Sequence, residues 1–268
     1  MIWFNQVALF FGSSLLVADV LLVGAVETVP PVGNGLTIIP KTSFDSQDNF
    51  NSYWNYLYPW GSDHNGGARM TEDKVEIGNG TLTLTATKVS GQPPATHGGQ
   101  QIAINYLSGT INAQQHFNVS LGGGYDFTAE VRATTTKGTW PAFWLTAVQG
   151  WPPEIDMAEW KGSGMISFNT FNTSSDVEAV NVEYPNPDSF HRIKCETRDL
   201  NGNDVQAKFY LDDQLVATQV GAGGGRAWHV ANTARIIDLQ MEGSSGSPGP
   251  DGDTVYQVRN LEVVSYNP

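Results

Sequence analysis

Three carboxylates fall within six residues of this chain: Glu154, Asp156 and Glu159. They close a stretch, residues 138–162, that also holds Trp140, Trp144, Trp151 and Trp160, four of the chain's eight tryptophans. Pro152 and Pro153 stand directly before Glu154. A strand therefore begins at Glu154 rather than upstream, where two ring nitrogens have no proton to give a ladder. Alternate residues of a strand share a face, so Glu154 and Asp156 point one way and Ile155 and Met157 the other. Strict alternation sends Glu159 to the Ile155 side. One extra residue near Met157–Ala158, a β-bulge, returns it to the side of Glu154, and bulges concentrate beside active sites.

Two carboxylates on one surface, ringed by tryptophan, suit the hydrolysis of a glycosidic bond. One carboxyl protonates the departing oxygen; the other attacks the sugar carbon or activates a water that does so. Tryptophan faces complement the apolar faces of sugar rings. The residues alone leave a second reading open, a half-exposed strand whose charges simply face water.

The elements that position this stretch read as strands. Alternating patterns predict them over 74–77, 81–86, 99–105, 109–113, 115–118, 125–132, 165–172, 190–197, 206–211, 214–218, 236–242 and 255–264. Gly78-Asn79-Gly80 and Asp212-Asp213 are the tight turns. Residues 221–225 form a glycine-rich loop. Phe44-Asp45 ends an early strand, and the aromatic-rich remainder up to residue 70 is an ordered loop whose Tyr58, Trp60 or Arg69 lines one end of a cleft or pins the loop. Along 236–242, Asp238, Gln240 and Glu242 share one face and read as a second cleft wall. Along 165–172, one alternating set borders the cleft beside Glu159, so Asn169 joins Gln240 as a candidate substrate contact. No long helical period and no fixed repeat appears. An all-β sandwich follows.

Composition excludes several partners. A length of 268 residues accommodates one large β domain. Fourteen Lys plus Arg against 27 Asp plus Glu leave a net charge of −13. Nucleic acid and anionic membranes are poor partners for such a surface, as are sulfated or uronate polymers. Neutral polysaccharide remains, and a monomer is expected. Cys195 is the only cysteine, so there is no intrachain disulfide, and its strand position predicts a buried, inert thiol. His64, His97, His116, His191 and His229 show no ligand spacing, so no catalytic zinc is expected. Gly122-Gly123-Gly124 lacks the Lys-Ser/Thr pair of a phosphate loop.

Residues 1–25 read as a secretory signal, with cleavage after Ala25, followed by a lead-in over 26–43 and one domain over 44–268. Asp19 breaks the apolar run short of the roughly 20 residues that span a bilayer. Sequons at Asn79, Asn118 and Asn172 agree with secretion.

Glu154-Ile-Asp156-Met-Ala-Glu159 resembles the Glu-x-Asp-x-x-Glu active-site strand of glycoside hydrolase family 16, in the longer form of its laminarinase, agarase and galactanase branches. Gly138-Thr-Trp140-Pro141-Ala142-Phe143-Trp144 is similar to the segment that leads into that strand. Phe190-His191 and Phe209-Tyr210-Leu211-Asp212 resemble outer-strand landmarks, so the likeness spans roughly residue 44 to the C-terminus. The resemblance implies a two-sheet antiparallel jelly roll of the concanavalin A-like kind, with a concave substrate cleft. It implies Glu154 as nucleophile, Glu159 as general acid/base and retention of configuration. Asp156 lies between them, opposes simultaneous ionisation of all three and favours a proton on Glu159 while Glu154 stays charged. Trp140, Trp144, Trp151 and Trp160 become subsite candidates, two touching sugar and two in the core. No cofactor is required; many relatives carry a structural calcium, although no ligand cluster here demands one. Laminarinases usually have a histidine where this chain offers Asn169, Phe171 and Asn172. The substrate expected is a β-1,3-linked polysaccharide, β-1,3-galactan ahead of β-1,3-glucan. Endo-1,3(4)-β-glucanase and a non-catalytic sugar-binding lectin are the alternatives.

Overall fold

Burial alternates along the strand Thr81–Lys88, where Leu82, Leu84 and Ala86 face inward and the threonines between them face out. The same period-two code recurs in most strands of the computed structural model, which describes residues 34–221 and 233–268. The strands pair into two stacked sheets. One sheet runs Gln214–Gly221, Val205–Leu211, His191–Asp199, Gly124–Arg132, Thr254–Ser265, Thr81–Lys88, Tyr106–Ser108 and Ala68–Met70 from edge to edge. Leu36–Ile39 and Val75–Gly78 add to it through Thr254–Ser265 and Thr81–Lys88. All its pairings are antiparallel except the short one between Ala68–Met70 and Tyr106–Ser108. The second sheet runs Val177–Glu183, Met165–Phe171, Glu154–Glu159, Thr139–Ala147, Thr233–Met241, Thr110–Ala113 and Trp54–Tyr56.

The expected sandwich is what the chain forms. Between the sheets, Phe127, Ala129, Ile193, Cys195 and Phe209 of the first meet Phe143, Ile155, Ile166, Phe168 and Leu239 of the second. Cys195 is fully buried, and that burial pushes its thiol up, so it is the inert thiol expected. Two tight turns also match. Asn79-Gly80 joins its strands with φ of 52° and 74°, and Asp212-Asp213 does so with 49° and 65°, the left-handed pair that a two-residue hairpin turn requires.

Local expectations differ at several places. Phe44 ends a 3-10 turn, Lys41–Phe44, rather than a strand. Gln47–Tyr53 is a helix capped by the Ser46 hydroxyl, which accepts from the Asn49 amide at 3.1 Å. It buries only Phe50, too little to write a helical period. Residues 115–118 form no strand, only a bridge from Phe117 to Thr233. The segment 99–105 yields just Gln100–Ile102, paired with Ala95–His97 in a separate two-stranded ribbon. Val177–Glu183 is an additional edge strand, in which only Val180 and Val182 are half-buried, against the core. Leu36–Ile39, within the expected lead-in, is a sheet strand. Asn79 is exposed, Asn118 half-buried and Asn172 buried. The signal segment 1–25, the lead-in up to residue 33, residues 222–225 and His229 lie outside the described residues.

Candidate active site

The acidic strand Glu154–Glu159 begins immediately after the two prolines. Against Thr139–Ala147 its register runs Thr146 to Glu154, Leu145 to Ile155 and Trp144 to Asp156, then skips to Phe143 with Ala158 and Ala142 with Glu159. Met157 is the residue left over. On the other side, Asp156 faces Asn169 and Glu159 faces Ser167, so three steps oppose two. This is the bulge the spacing calls for. Met157 and Ala158 both go to the core, and Glu154, Asp156 and Glu159 share the outer wall.

That wall floors a cleft of about 970 Å³. The three carboxylates meet Trp140, Trp144 and Trp151 there, together with Asp238 and Gln240 from the strand Thr233–Met241. Trp60, His64, His97 and Lys161 complete the part of the lining that bears on the chemistry.

Each acidic group has its own partners. Glu154 Oε2 accepts from Trp151 Nε1 at 2.8 Å. Although Glu154 is only half-buried, protein crowds its carboxyl. Desolvation pushes it up to about 7; the Trp151 bond opposes this and the charge of Glu159 adds to it. Asp156, 5% exposed, is also pushed well up, by burial and then by its two glutamate neighbours. Glu159 collects three donors: Trp140 Nε1 at 2.6 Å, Asn169 Nδ2 at 2.9 Å and Lys161 Nζ at 2.7 Å. The same Asn169 amide donates to Asp156 Oδ2 at 2.8 Å, so one side chain ties two carboxylates across the bulge. Hydrogen-bond donors thus gather on Glu159, while Trp151 serves Glu154.

The tryptophans divide three to one rather than evenly. Trp140, Trp144 and Trp151 line the cleft. Trp160 does not: it is fully buried and packs on Tyr184 and Tyr256 at centroid distances of 5.3 and 5.8 Å. The bulge explains this, since Trp160 follows Glu159 and takes the opposite, core-facing side. Asn169 is also no wall residue; at 2% exposure its amide is committed to the carboxylates. Gln240 lines the cleft, but its amide oxygen accepts from the backbone nitrogens of Ala68 and Met241 at 2.8 and 2.9 Å. Arg69 does not line the cleft; it pairs bidentately with Asp63 at 2.8 and 2.9 Å. Tyr58 is buried and donates to Asp238, while Trp60 stands 47% exposed in the lining.

Three contributors escaped the sequence reading. Lys161 follows Glu159 by two residues, a spacing that hinted at a shared side. His64 and His97, far apart in sequence, meet at 5.3 Å, and nothing local announced it. Burial, then the neighbouring His97, pushes His64 down to about 4, so it is a neutral ring stacked on Trp144 at 5.8 Å. Among the described residues, no group of three or more His, Cys, Asp or Glu side chains is arranged to hold a metal ion.

The profile of Glycosyl hydrolases family 16 matches residues 62–222. A galactan endo-beta-1,3-galactanase of Flammulina velutipes is 48% identical over 237 residues, covering 87% of this chain and 92% of the relative. In fold, the laminarinase catalytic domain of Thermotoga maritima MSB8 superposes with a TM-score of 0.65 at 18% identity, covering 87% of this chain and 98% of that one. The endo-1,3-beta-glucanase of Streptomyces sioyaensis gives 0.65 at 19%, covering 81% and 91%. With a profile match across most of the chain and a near full-length relative at this identity, the chain belongs to glycoside hydrolase family 16.

Proposed function

We propose that the chain is a secreted, endo-acting, retaining glycoside hydrolase that cleaves β-1,3-linked polysaccharide, with β-1,3-galactan its foremost substrate. The observation that carries this reading is the meeting of Glu154, Asp156 and Glu159 on the floor of one tryptophan-walled cleft. The substrate choice is supported by the 48% identical relative, which carries the name of a β-1,3-galactanase. Secretion is supported by the apolar segment within residues 1–25 and the exposed acceptor Asn79. The cleft volume, about 970 Å³, is at the upper end of small-ligand sites. It accommodates more than one sugar ring, as cleavage inside a polymer requires.

Glu154 attacks the anomeric carbon. With one donor among the described residues, Trp151, its carboxylate is poorly solvated. The glycosyl ester it forms is neutral, so attack relieves the cost of burying the charge. Glu159 gives its proton to the leaving oxygen. Trp140, Asn169 and Lys161 then stabilise the carboxylate that appears as the proton departs, which favours the transition state over the starting state. In the second half-reaction Glu159 takes a proton from the water that hydrolyses the ester. Asn169 holds Glu159 and Asp156 in one register throughout.

Parallel digestion of β-1,3-galactan, laminarin, lichenan and agarose, with sizing of the products, tests the reading. The expected outcome is an early fall in polymer size and a spread of oligosaccharides from β-1,3-galactan. Cleavage of laminarin or lichenan alone would move the substrate to glucan. Binding without cleavage of any polymer would make the chain a lectin.

A further inference from the structure

Ala142 lies between two acidic side chains from different strands. It faces Glu159 on one side and Asp238 on the other, so only a methyl group projects between them on the cleft wall. Asp238 is 3% exposed and lines the cleft. Its Oδ1 accepts from Trp144 Nε1 at 2.9 Å and its Oδ2 from the Tyr58 hydroxyl at 2.7 Å. Both rings belong to one aromatic group: Tyr58 stacks on Trp60 at 5.1 Å, and Trp144 stacks on His64 at 5.8 Å. One carboxyl group thus fixes two rings of that group and adds a fourth acidic side chain beside Glu154, Asp156 and Glu159.

We propose that Asp238 is a positioning residue of the reaction centre: it aligns Trp144 and Tyr58 and places a negative charge behind the reacting glutamates. The proposal rests on the hydrolase reading above. The groups facing Asp238 are Glu159 across Ala142, Glu154 and Asp156 on the same strand as Glu159, and Lys161, paired with Glu159. The Tyr58 hydroxyl, and His64 and His97 beyond Trp144, complete the set. Arg235, three residues earlier, points the other way, into the core among Trp54, Phe127 and Phe143. Like charges in a poorly solvated site oppose one another's ionisation. Burial pushes Asp238 up to about 7, against its bonds to Tyr58 and Trp144, and the charge of Glu159 adds to the rise. Asp238 is in turn among the charges that push Glu154 up, after burial and Glu159.

Asp238→Asn removes the charge but keeps the shape, since an amide can still accept from the indole and donate to the phenol. Profiles of kcat/KM against pH on the cleaved polymer read the effect. Glu154 acts as a carboxylate, so its ionisation sets the acid limb, and loss of the neighbouring charge moves that limb down by roughly half a pH unit or more. KM stays within about two-fold of the wild type, since both hydrogen-bond contacts persist. Asp238→Ala loses charge and anchors together, and shows the same limb shift with KM raised roughly ten-fold. A wild-type titration followed by carboxyl-carbon NMR gives a second reading that no folding defect can spoil: Asp238 and Glu154 titrate as a coupled pair. Superimposable wild-type and Asp238→Asn profiles, or an Asp238 that titrates independently of Glu154, overturn the proposal. A wild type that cleaves no polymer sinks the hydrolase reading instead, and the NMR titration still decides the coupling.

Discussion

The indole N–H of Trp140 donates to the Glu159 carboxylate over 2.6 Å. Trp140 is therefore a hydrogen-bond donor to a reacting group as well as an apolar wall. Trp140→Phe keeps much of the wall and removes the donor. A hydrogen bond to a charged group contributes about 1.5–3 kcal/mol, so kcat falls about 10- to 100-fold. KM changes little, because the loss is felt as Glu159 releases its proton. Steady-state kinetics on the cleaved polymer check this; a rise in KM at unchanged kcat would make Trp140 a stacking residue only.

Glu159→Ala separates acid catalysis from nucleophilic attack. General acid assistance contributes about 10²–10⁴-fold, and a good leaving group does not need it. The variant loses activity on polymer by that order and keeps most of its turnover of an aryl glycoside with an acidic phenol. Equal losses on both substrate types remove the acid role from Glu159.

Trp151 and Trp160 lie nine residues apart, on opposite sides of the same strand's layer. Trp151 is 47% exposed at the cleft mouth and Trp160 fully buried. Trp151→Ala raises KM by roughly 10-fold with little change in melting temperature, as loss of an aromatic contact at a ligand surface does. Trp160→Ala costs about 3–5 kcal/mol of stability. Thermal melts and kinetics on both variants suffice; a reversal of the two patterns contradicts the placement.

Stability depends on pH with a sign set by the cleft. Burial pushes Glu154 and Asp238 up to about 7, and Asp156 well above its ordinary range. Between roughly pH 4 and 7 the folded state thus binds more protons at these groups than the unfolded chain does. Their contribution is present in acid and is lost as pH rises through 7. His64, pushed down to about 4, opposes this with a slope of the other sign over about pH 4–6.5. Three carboxylates outweigh one imidazole, and self-repulsion at a net charge of −13 acts in the same direction as the carboxylates. The melting temperature falls from pH 5 to pH 8, and Glu154→Gln or Asp238→Asn flattens the fall. Scanning calorimetry across that range decides; a melting temperature that climbs steadily with pH refutes the electrostatic picture.

The sandwich, its tight turns and the bulge were legible because each is written in local order. Leu82, Leu84 and Ala86 alternate with threonine, Asn79-Gly80 has the left-handed pair a hairpin needs, and the Glu154-to-Glu159 spacing departs by one residue from a plain strand. Trp160 misled because composition cannot say which side of a bulge a tryptophan takes. Asn169 and Gln240 were rightly brought beside the carboxylates, but their amides are committed to protein partners. The His64–His97 contact and the bond from Tyr58 to Asp238 were invisible because they join segments 33 and 180 positions apart. Val177–Glu183, at a sheet edge, half-buries only Val180 and Val182, an alternation too short to mark a strand.

The central claim is that Glu154, not Glu159, bonds to the sugar. Incubation with an activated 2-deoxy-2-fluoro glycoside of the preferred sugar slows the second step and traps the covalent intermediate, and peptide mass spectrometry then locates it. The account predicts one sugar per chain, on Glu154, with retained configuration in the first-formed product of normal turnover. A label on Glu159 or Asp156, or a first product of inverted configuration, contradicts it.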